Sequence, residues 1–321
     1  MNFNAEITLG TMNFGKSDWG LSKDVSFELL DTFFSLGYKK LDTSNFYAQG
    51  NSEKIIGEWL SYNSPDTIEI CTKVGGKDPI DDSVVGLSRE SILKSIEYSL
   101  KRLKRDSINI LYLHFPDFKT DISETVETIN YLLTMGVIKE WGISNYTALE
   151  LSNIIQICNE LSITKPKYFQ ILVNLIEFNA TFEIIPLALS NNLNVYSWSP
   201  LSGGLLTNSA KLGHLDNRFN HDTFWNLYKE NTFLNKLYKY SEEENIKLEE
   251  LSLLFLLENK INPICGFSKK QELLELHNIF VRIIENVKNE KYLNYISNYH
   301  QSLMPYPYNL LKFMNCDKFH R

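Results

Sequence analysis

Nowhere in the 321 residues does an apolar run approach the ~20 that a membrane-spanning helix needs, so no membrane partner is expected. Positive charge is also short. With 32 Lys and Arg against 39 Asp and Glu, the net charge of −7 leaves no cationic surface to bind nucleic acid by phosphate neutralisation. Cysteine is scarce, and Cys71, Cys158, Cys265 and Cys316 stand far apart, mostly in apolar runs. That spacing points to buried reduced thiols, not to a disulfide framework or a zinc site, and no metal is expected. Met1 to Leu9 lacks the basic stretch and apolar run of a secretory signal, which predicts a cytoplasmic protein. Low-complexity sequence is absent, and no Gly-x-Gly-x-x-Gly follows the first strand-like run, which argues against a Rossmann dinucleotide site.

What is present is globular: 43% hydrophobic and 22% charged residues, enough to bury a sizeable core in one domain spanning 1–321. Strand-like runs recur near 11–14, 39–42, 68–73, 108–114, 137–143, 168–172, 194–198 and 262–266, and helical patterns fill nearly every gap. Leu29, Leu30 and Phe33 share one apolar helix face, as do Ile92, Ile96, Leu100 and Leu103. Thr147 and Glu150 have capping-box spacing and mark a helix start. Strands separated by helices pair in parallel, and eight such units favour an α/β fold closed as a (β/α)8 TIM barrel over an open doubly wound sheet. The double-length interval before the last strand predicts an irregular rim loop over 201–228, rich in Gly203, Gly204, His214, Asn217 and Asn220. A C-terminal helical extension, 279–321, is expected to pack on the barrel and to reach its mouth. It carries Ile283, Ile284, Val287, Tyr292 and Ile296, then the Pro- and Tyr-rich segment 304–309.

Three of these runs end on a costly polar group: Asp42, Lys73 and His114. In a parallel barrel those ends converge on one rim, with Tyr47 in the adjoining loop. A lysine beside a tyrosine favours the phenolate, a carboxylate holds the lysine charged, and a neutral histidine can orient a carbonyl oxygen. Together they could protonate an oxyanion as it forms, the requirement for reducing a carbonyl by hydride.

The segments Leu41-Asp-Thr-Ser-Asn-Phe-Tyr-Ala-Gln-Gly-Asn-Ser-Glu53, Thr72-Lys-Val-Gly75, Leu113-His-Phe-Pro-Asp117, Gly142-Ile-Ser-Asn145 and Ser199-Pro-Leu-Ser-Gly-Gly-Leu-Leu206 resemble successive signatures of the aldo-keto reductase superfamily, in order and near its spacings. The resemblance covers about residues 8–278. It implies a nicotinamide cofactor extended across the C-terminal face of the barrel and a small-molecule carbonyl substrate, for which a sugar-derived carbonyl is one candidate among several. Tyr47 would be the general acid, Lys73 would lower its pKa, Asp42 would pair with Lys73, and His114 would orient the carbonyl. Ser144, Asn145 and Gln170 match positions that hold the nicotinamide carboxamide, and Trp198 one that stacks on its ring. Thr11, Met12, Asp42, Ser199, Pro200, Leu201, Gly203, Gly204, Leu205 and Gly266 complete the implied cofactor contacts. Trp19, Phe46, Tyr47, His114 and Phe115 are the expected substrate wall.

At the adenosine end the chain departs from the family pattern. Ile264-Cys-Gly266 stands where many members have Ile-Pro-Gly, and Glu272 and Leu276 replace the usual Gln or Arg and Asn. Ser268, Lys269 and Lys270 still supply a hydroxyl and two cations for a 2′-phosphate, which predicts NADPH/NADP+ over NADH. Glu272 argues the other way. Two other functions stay open: a cofactor-binding redox sensor or regulatory subunit resembling the channel-associated members, and a lyase or isomerase using Lys73 as a Schiff base. The oligomeric state is open as well.

Overall fold

The computed structural model describes residues 3–63, 67–213, 223–226, 228, 231–286 and 290–302. Eight strands, β1 Thr8–Gly10, β2 Lys40–Asp42, β3 Glu69–Val74, β4 Ile108–Leu113, β5 Ile138–Ser144, β6 Tyr168–Leu172, β7 Asn194–Trp198 and β8 Ile261–Cys265, close into a barrel in chain order. Every pairing is parallel, and β1 closes the ring by placing Leu9 opposite both Leu41 and Cys265. Around it run α1 Lys23–Ser35, α2 Asn51–Asn63, α3 Arg89–Leu103, α4 Ile122–Thr134, α5 Ala148–Glu160, α6 Ile184–Ser190, α7 Asn208–Lys211, α8 Thr223–Asn226, α9 Thr232–Glu243, α10 Leu248–Glu258, α11 Lys270–Asn286 and α12 Glu290–Ser302. The fold is a (β/α)8 barrel. No helix among the described residues is long and apolar enough to cross a membrane.

Strand alternation separates two cores. Leu41, Ile70, Leu111, Leu113, Ile143, Phe169 and Val195 point outward and are buried against the helices with Leu29, Phe33, Ile92, Ile96 and Ile129. The inward positions of β2 and β3 instead read Lys40, Asp42, Cys71 and Lys73. A small second cluster of Cys71, Ile110 and Tyr112, with Tyr168 against it, fills the middle of the barrel. Gly142 makes room for it. A side chain there would come within 2.8 Å of the Tyr112 ring and 2.5 Å of the Tyr168 carbonyl. Below this layer the buried Lys40 donates to the half-buried Glu6 at 2.6 Å and to the buried Tyr196 hydroxyl at 2.7 Å, closing the N-terminal end with a polar cluster.

Three local expectations change. The first strand lies at Thr8–Gly10, not 11–14, because the Phe14 amide bonds the Thr11 carbonyl at 3.0 Å and turns the chain; Phe14 is apolar because it is buried beneath that turn. Within 201–228 the described residues form a 3-10 turn at Ser202–Gly204 and the short helices α7 and α8, the former capped by Thr207, whose hydroxyl accepts from the Ala210 amide. His214, Asn217 and Asn220 lie outside the described residues. The extension expected to begin at 279 begins inside α11, since Leu273, Leu276, Ile279, Phe280 and Ile283 are buried along one uninterrupted helix. Beyond it, α12 docks on the outer helices: the Tyr292 hydroxyl donates to the Leu251 carbonyl at 2.6 Å, and Tyr295 stacks on Tyr240. Its far end reaches the loop after β6, where His300 stacks on Phe178 at 3.6 Å. Val287, the 304–309 segment and Cys316 lie outside the described residues.

The capping box at the start of α5 is complete. Thr147 accepts from the Glu150 amide, and Glu150 accepts from the Thr147 amide. Thr147→Ala should therefore cost ~1 kcal/mol of stability, read as a lowered chemical-denaturation midpoint at unchanged slope.

Candidate active site

The C-terminal rim gathers the polar strand ends. Asp42 ends β2, Lys73 is the penultimate residue of β3, and His114 follows β4 directly. Lys73 has no solvent exposure, and its ammonium donates to Asp42 Oδ2 at 2.7 Å, to the Thr43 carbonyl at 2.8 Å and to the Tyr47 hydroxyl at 3.1 Å. Burial works against the charged lysine, but Asp42 and Tyr47 outweigh it and raise its pKa. Asp42 in turn accepts from Gln170 Nε2 at 2.8 Å across the barrel.

Burial raises the Tyr47 phenol above its ordinary value while Lys73 pulls it down, so the lysine moderates a penalty that the cavity imposes. His114 lies between two rings, Phe46 at 5.0 Å and Phe115 at 4.2 Å, both nearly parallel to it. Burial, followed by the positive field of Lys73, holds its imidazole well below the usual histidine range. Its Nδ1 is 3.3 Å from the Ser44 hydroxyl. Phe46 can sit there because Gly76 has no side chain; an added Cβ would fall 2.3 Å from the ring.

These groups open onto a cavity of about 820 Å³ that runs from Trp19, Phe46, Tyr47, His114 and Phe115 past Trp198 to Ser268, Lys269 and Glu272. Asp42, Thr11, Met12, Asn145, Gln170, Ser199, Pro200, Leu201, Gly203, Gly204 and Gly266 line it as well. Trp198 donates from its indole to Asn145 Oδ1 at 2.9 Å, and Asn145 donates to the His114 carbonyl at 3.1 Å, which ties the ends of β4, β5 and β7 together. Gly203, at φ +65°, lies under Trp225, whose ring a Cβ would meet at 2.6 Å.

Three expected positions differ. Ser144 and Leu205 do not form the wall: Ser144 is fully buried and accepts from Asn145 Nδ2, and Leu205 packs into the outer core. Lys270 turns away to Glu28 at 3.9 Å. In its place the cavity takes Lys247, just ahead of α10, together with Thr207, Ser209, Glu249 and Glu275. These residues carry no motif, and only the fold brings α7 and α10 to the rim. Ser44, in the loop between Asp42 and Tyr47, joins the site through its contact with His114 Nδ1. Among the described residues no cluster of His, Cys, Asp and Glu could hold a metal ion.

The chain matches the profile of the Aldo/keto reductase family over residues 6–290. It belongs to that family. Within the aldo-keto reductases it is 31% identical over 247 residues to the aflatoxin B1 aldehyde reductase member 2 of Rattus norvegicus, covering 76% of this chain and 65% of the rat protein. The chain thus spans about two thirds of that relative. It is 29% identical over 263 residues to a probable voltage-gated potassium channel subunit beta of Oryza sativa subsp. japonica, covering 77% and 79% of the two chains. A putative aryl-alcohol dehydrogenase of Saccharomyces cerevisiae is 28% identical over 301 residues, covering 82% and 84%. Nicotinamide cofactors are general in the family.

A depressed His114 pKa has a defined sign. The unfolded chain takes up a proton near pH ~6.5 that the folded site refuses, so the contribution to stability is full above that pH and is lost as pH falls through the folded value. In NMR spectra the His114 imidazole should stay neutral from about pH 8 to 6; a mid-range titration there would contradict the buried, cation-flanked site.

Proposed function

We propose that the chain is an NADPH-dependent reductase that converts an aldehyde or ketone to an alcohol, with Tyr47 as general acid. The observation that carries this reading is the Tyr47 hydroxyl at 3.1 Å from a fully buried lysine that Asp42 keeps charged, facing an elongated cavity. The wall suits a nicotinamide dinucleotide. Trp198 offers a flat ring, Gly203 and Gly204 bring backbone close, and Glu249 Oε2 is a buried oxygen with no hydrogen-bond partner among the described residues. When bound, the reduced nicotinamide supplies the hydride.

The chain's own residues do the rest. If Ser44 donates to His114 Nδ1, the ring carries its proton on Nε2 and can hold a carbonyl oxygen within reach of Tyr47. Tyr47 then gives its proton to that oxygen as negative charge develops, and Lys73 stabilises the phenolate left behind. Asp42 accepts from the lysine, and Gln170 donates to Asp42 in turn. In alcohol oxidation the same phenolate is the base. Trp19, Phe46 and Phe115 make the outer wall aromatic, which favours a flat apolar carbonyl compound over a sugar-derived one.

The 2′-phosphate preference rests on Lys269 and Lys247, both on the cavity wall, with Glu272 engaged by the Ser268 amide at 2.8 Å at the start of α11. A cofactor-binding regulatory subunit remains the second reading, favoured by the likeness to the rice channel subunit. Turnover separates the two.

Tyr47→Phe should leave NADPH affinity nearly unchanged and lower kcat by ~10²–10⁴-fold; turnover within about threefold of wild type sinks the assignment. Lys73→Met should depress activity and move the basic limb of the pH–rate profile upward, because Tyr47 loses the cation that lowers its pKa. Lys247→Ala with Lys269→Ala should weaken NADPH by about tenfold or more and leave NADH within a few-fold, measured at fixed salt. Equal or tighter NADH binding by the wild type reverses the cofactor assignment.

A further inference from the structure

Tyr47 sits in a segment of unusual backbone. Ala48 and Gln49, at φ 50° and 56°, are followed by Gly50 at φ 80°, three left-handed residues in succession before α2 starts at Asn51. For the two non-glycine residues this costs ~1–2 kcal/mol each and persists only where the surroundings hold it. What surrounds it is a buried ionic network with no contact to the cavity. Arg102, near the end of α3, donates from Nε to Glu53 Oε2 at 2.7 Å and from Nη2 to Asp78 Oδ2 at 3.1 Å; both carboxylates have no solvent exposure. The arginine stem lies on Gly50, where an added Cβ would be 3.1 Å from its Cδ.

Both ends of the network abut the Tyr47 and Lys73 pair. Glu53 accepts from the Thr72 hydroxyl at 2.6 Å, and Thr72 is the neighbour of Lys73 on β3. Asp78 accepts from Asn45 Nδ2 at 3.4 Å, and Asn45 is two residues before Tyr47; its amide reaches the Lys73 carbonyl at 3.4 Å. Asn45 also donates to the Ser95 hydroxyl of α3 at 3.1 Å. One guanidinium therefore spans the entry and the exit of the Tyr47 loop as well as the strand that carries Lys73. A lysine at 102 would keep the charge and lose the fork that reaches two carboxylates at once.

We propose that Arg102, acting through Glu53 and Asp78, is a positioning residue that sets the contact between the Tyr47 hydroxyl and Lys73. The proposal rests on Tyr47 being the general acid, and its test keeps the two claims apart. In Arg102→Lys the crystal structure should show Tyr47 displaced, with its hydroxyl beyond hydrogen-bond reach of Lys73 Nζ from the present 3.1 Å. That readout needs no turnover. Kinetically, kcat should fall about tenfold while NADPH affinity and the substrate KM stay within about twofold, and the basic limb of the kcat profile should rise as the phenol loses its cation. Thr72→Val removes a single hydroxyl at nearly constant volume and should show the same pattern in smaller degree. Asp78→Asn, which still accepts from Arg102, should restore more activity than Asp78→Ala. An unmoved Tyr47 with an unmoved pH limb in folded Arg102→Lys overturns the proposal. So does loss of folding in Arg102→Lys and Thr72→Val alike, which would assign the network to stability alone. A wild type with no turnover on any carbonyl compound, but with Tyr47 displaced in Arg102→Lys, defeats the reductase reading and leaves the positioning role standing.

Discussion

A lysine with no solvent exposure must be neutralised where it lies, and the rim of this barrel is organised around that requirement at Lys73. Its three contacts, to Asp42, the Thr43 carbonyl and Tyr47, join β2, β3 and the loop between β2 and α2 at one point. Removing one partner of such a buried pair typically costs ~3–5 kcal/mol, because the other charge is left without compensation. The same ammonium pulls the Tyr47 phenol down against the rise that burial imposes. Asp42 then reaches through Gln170 to β6, so the electrostatic constraint extends across the barrel mouth.

The barrel contains a second buried lysine in a similar set of partners. Lys40 also meets a carboxylate and a tyrosine, Glu6 and Tyr196, and lies over the Tyr168 and Tyr196 rings. Burial drives the Tyr196 phenol far above its ordinary value, and it does not line the cavity at the C-terminal rim. At the N-terminal end the charges close the barrel. At the C-terminal end, Tyr47 faces an open cavity and His114 is held neutral beside it. Residue type is nearly the same at the two ends, and access to a reacting group differs. The apolar and aromatic layer of Cys71, Ile110, Tyr112 and Tyr168 packs inside the barrel between them.

The outer helices serve the rim as well as the core. Arg102, Glu53 and Asp78 lie behind the Tyr47 loop, and Gly57 allows α2 and α3 to close over them, since a side chain there would meet the Arg102 carbonyl at 2.1 Å. Asn145 links Trp198 to the backbone at His114, so the aromatic wall of the cavity is braced by the same strand ends that present its polar groups.

Period and strand-end chemistry were legible in the linear chain because they are local. Ile110 to His114 announces a buried strand closing on a polar residue, and Thr147 with Glu150 announces a helix start, whatever the rest of the molecule does. Eight such units separated by helices can pair only in parallel, so a parallel sheet followed from the spacing and the number of units favoured its closure into a barrel. The run at 11–14 misled because a buried aromatic, Phe14, under a turn has the same local pattern as one in a strand. What the sequence by itself determined is therefore the order of the elements and the identity of the groups at the rim. The tertiary structure alone decided that Lys270 turns to Glu28 while Lys247 faces the cavity, that Gln170 serves Asp42, and that Arg102 stands behind Tyr47. Each of these depends on the distance between side chains from elements far apart in sequence, and electrostatic and steric energies follow that distance.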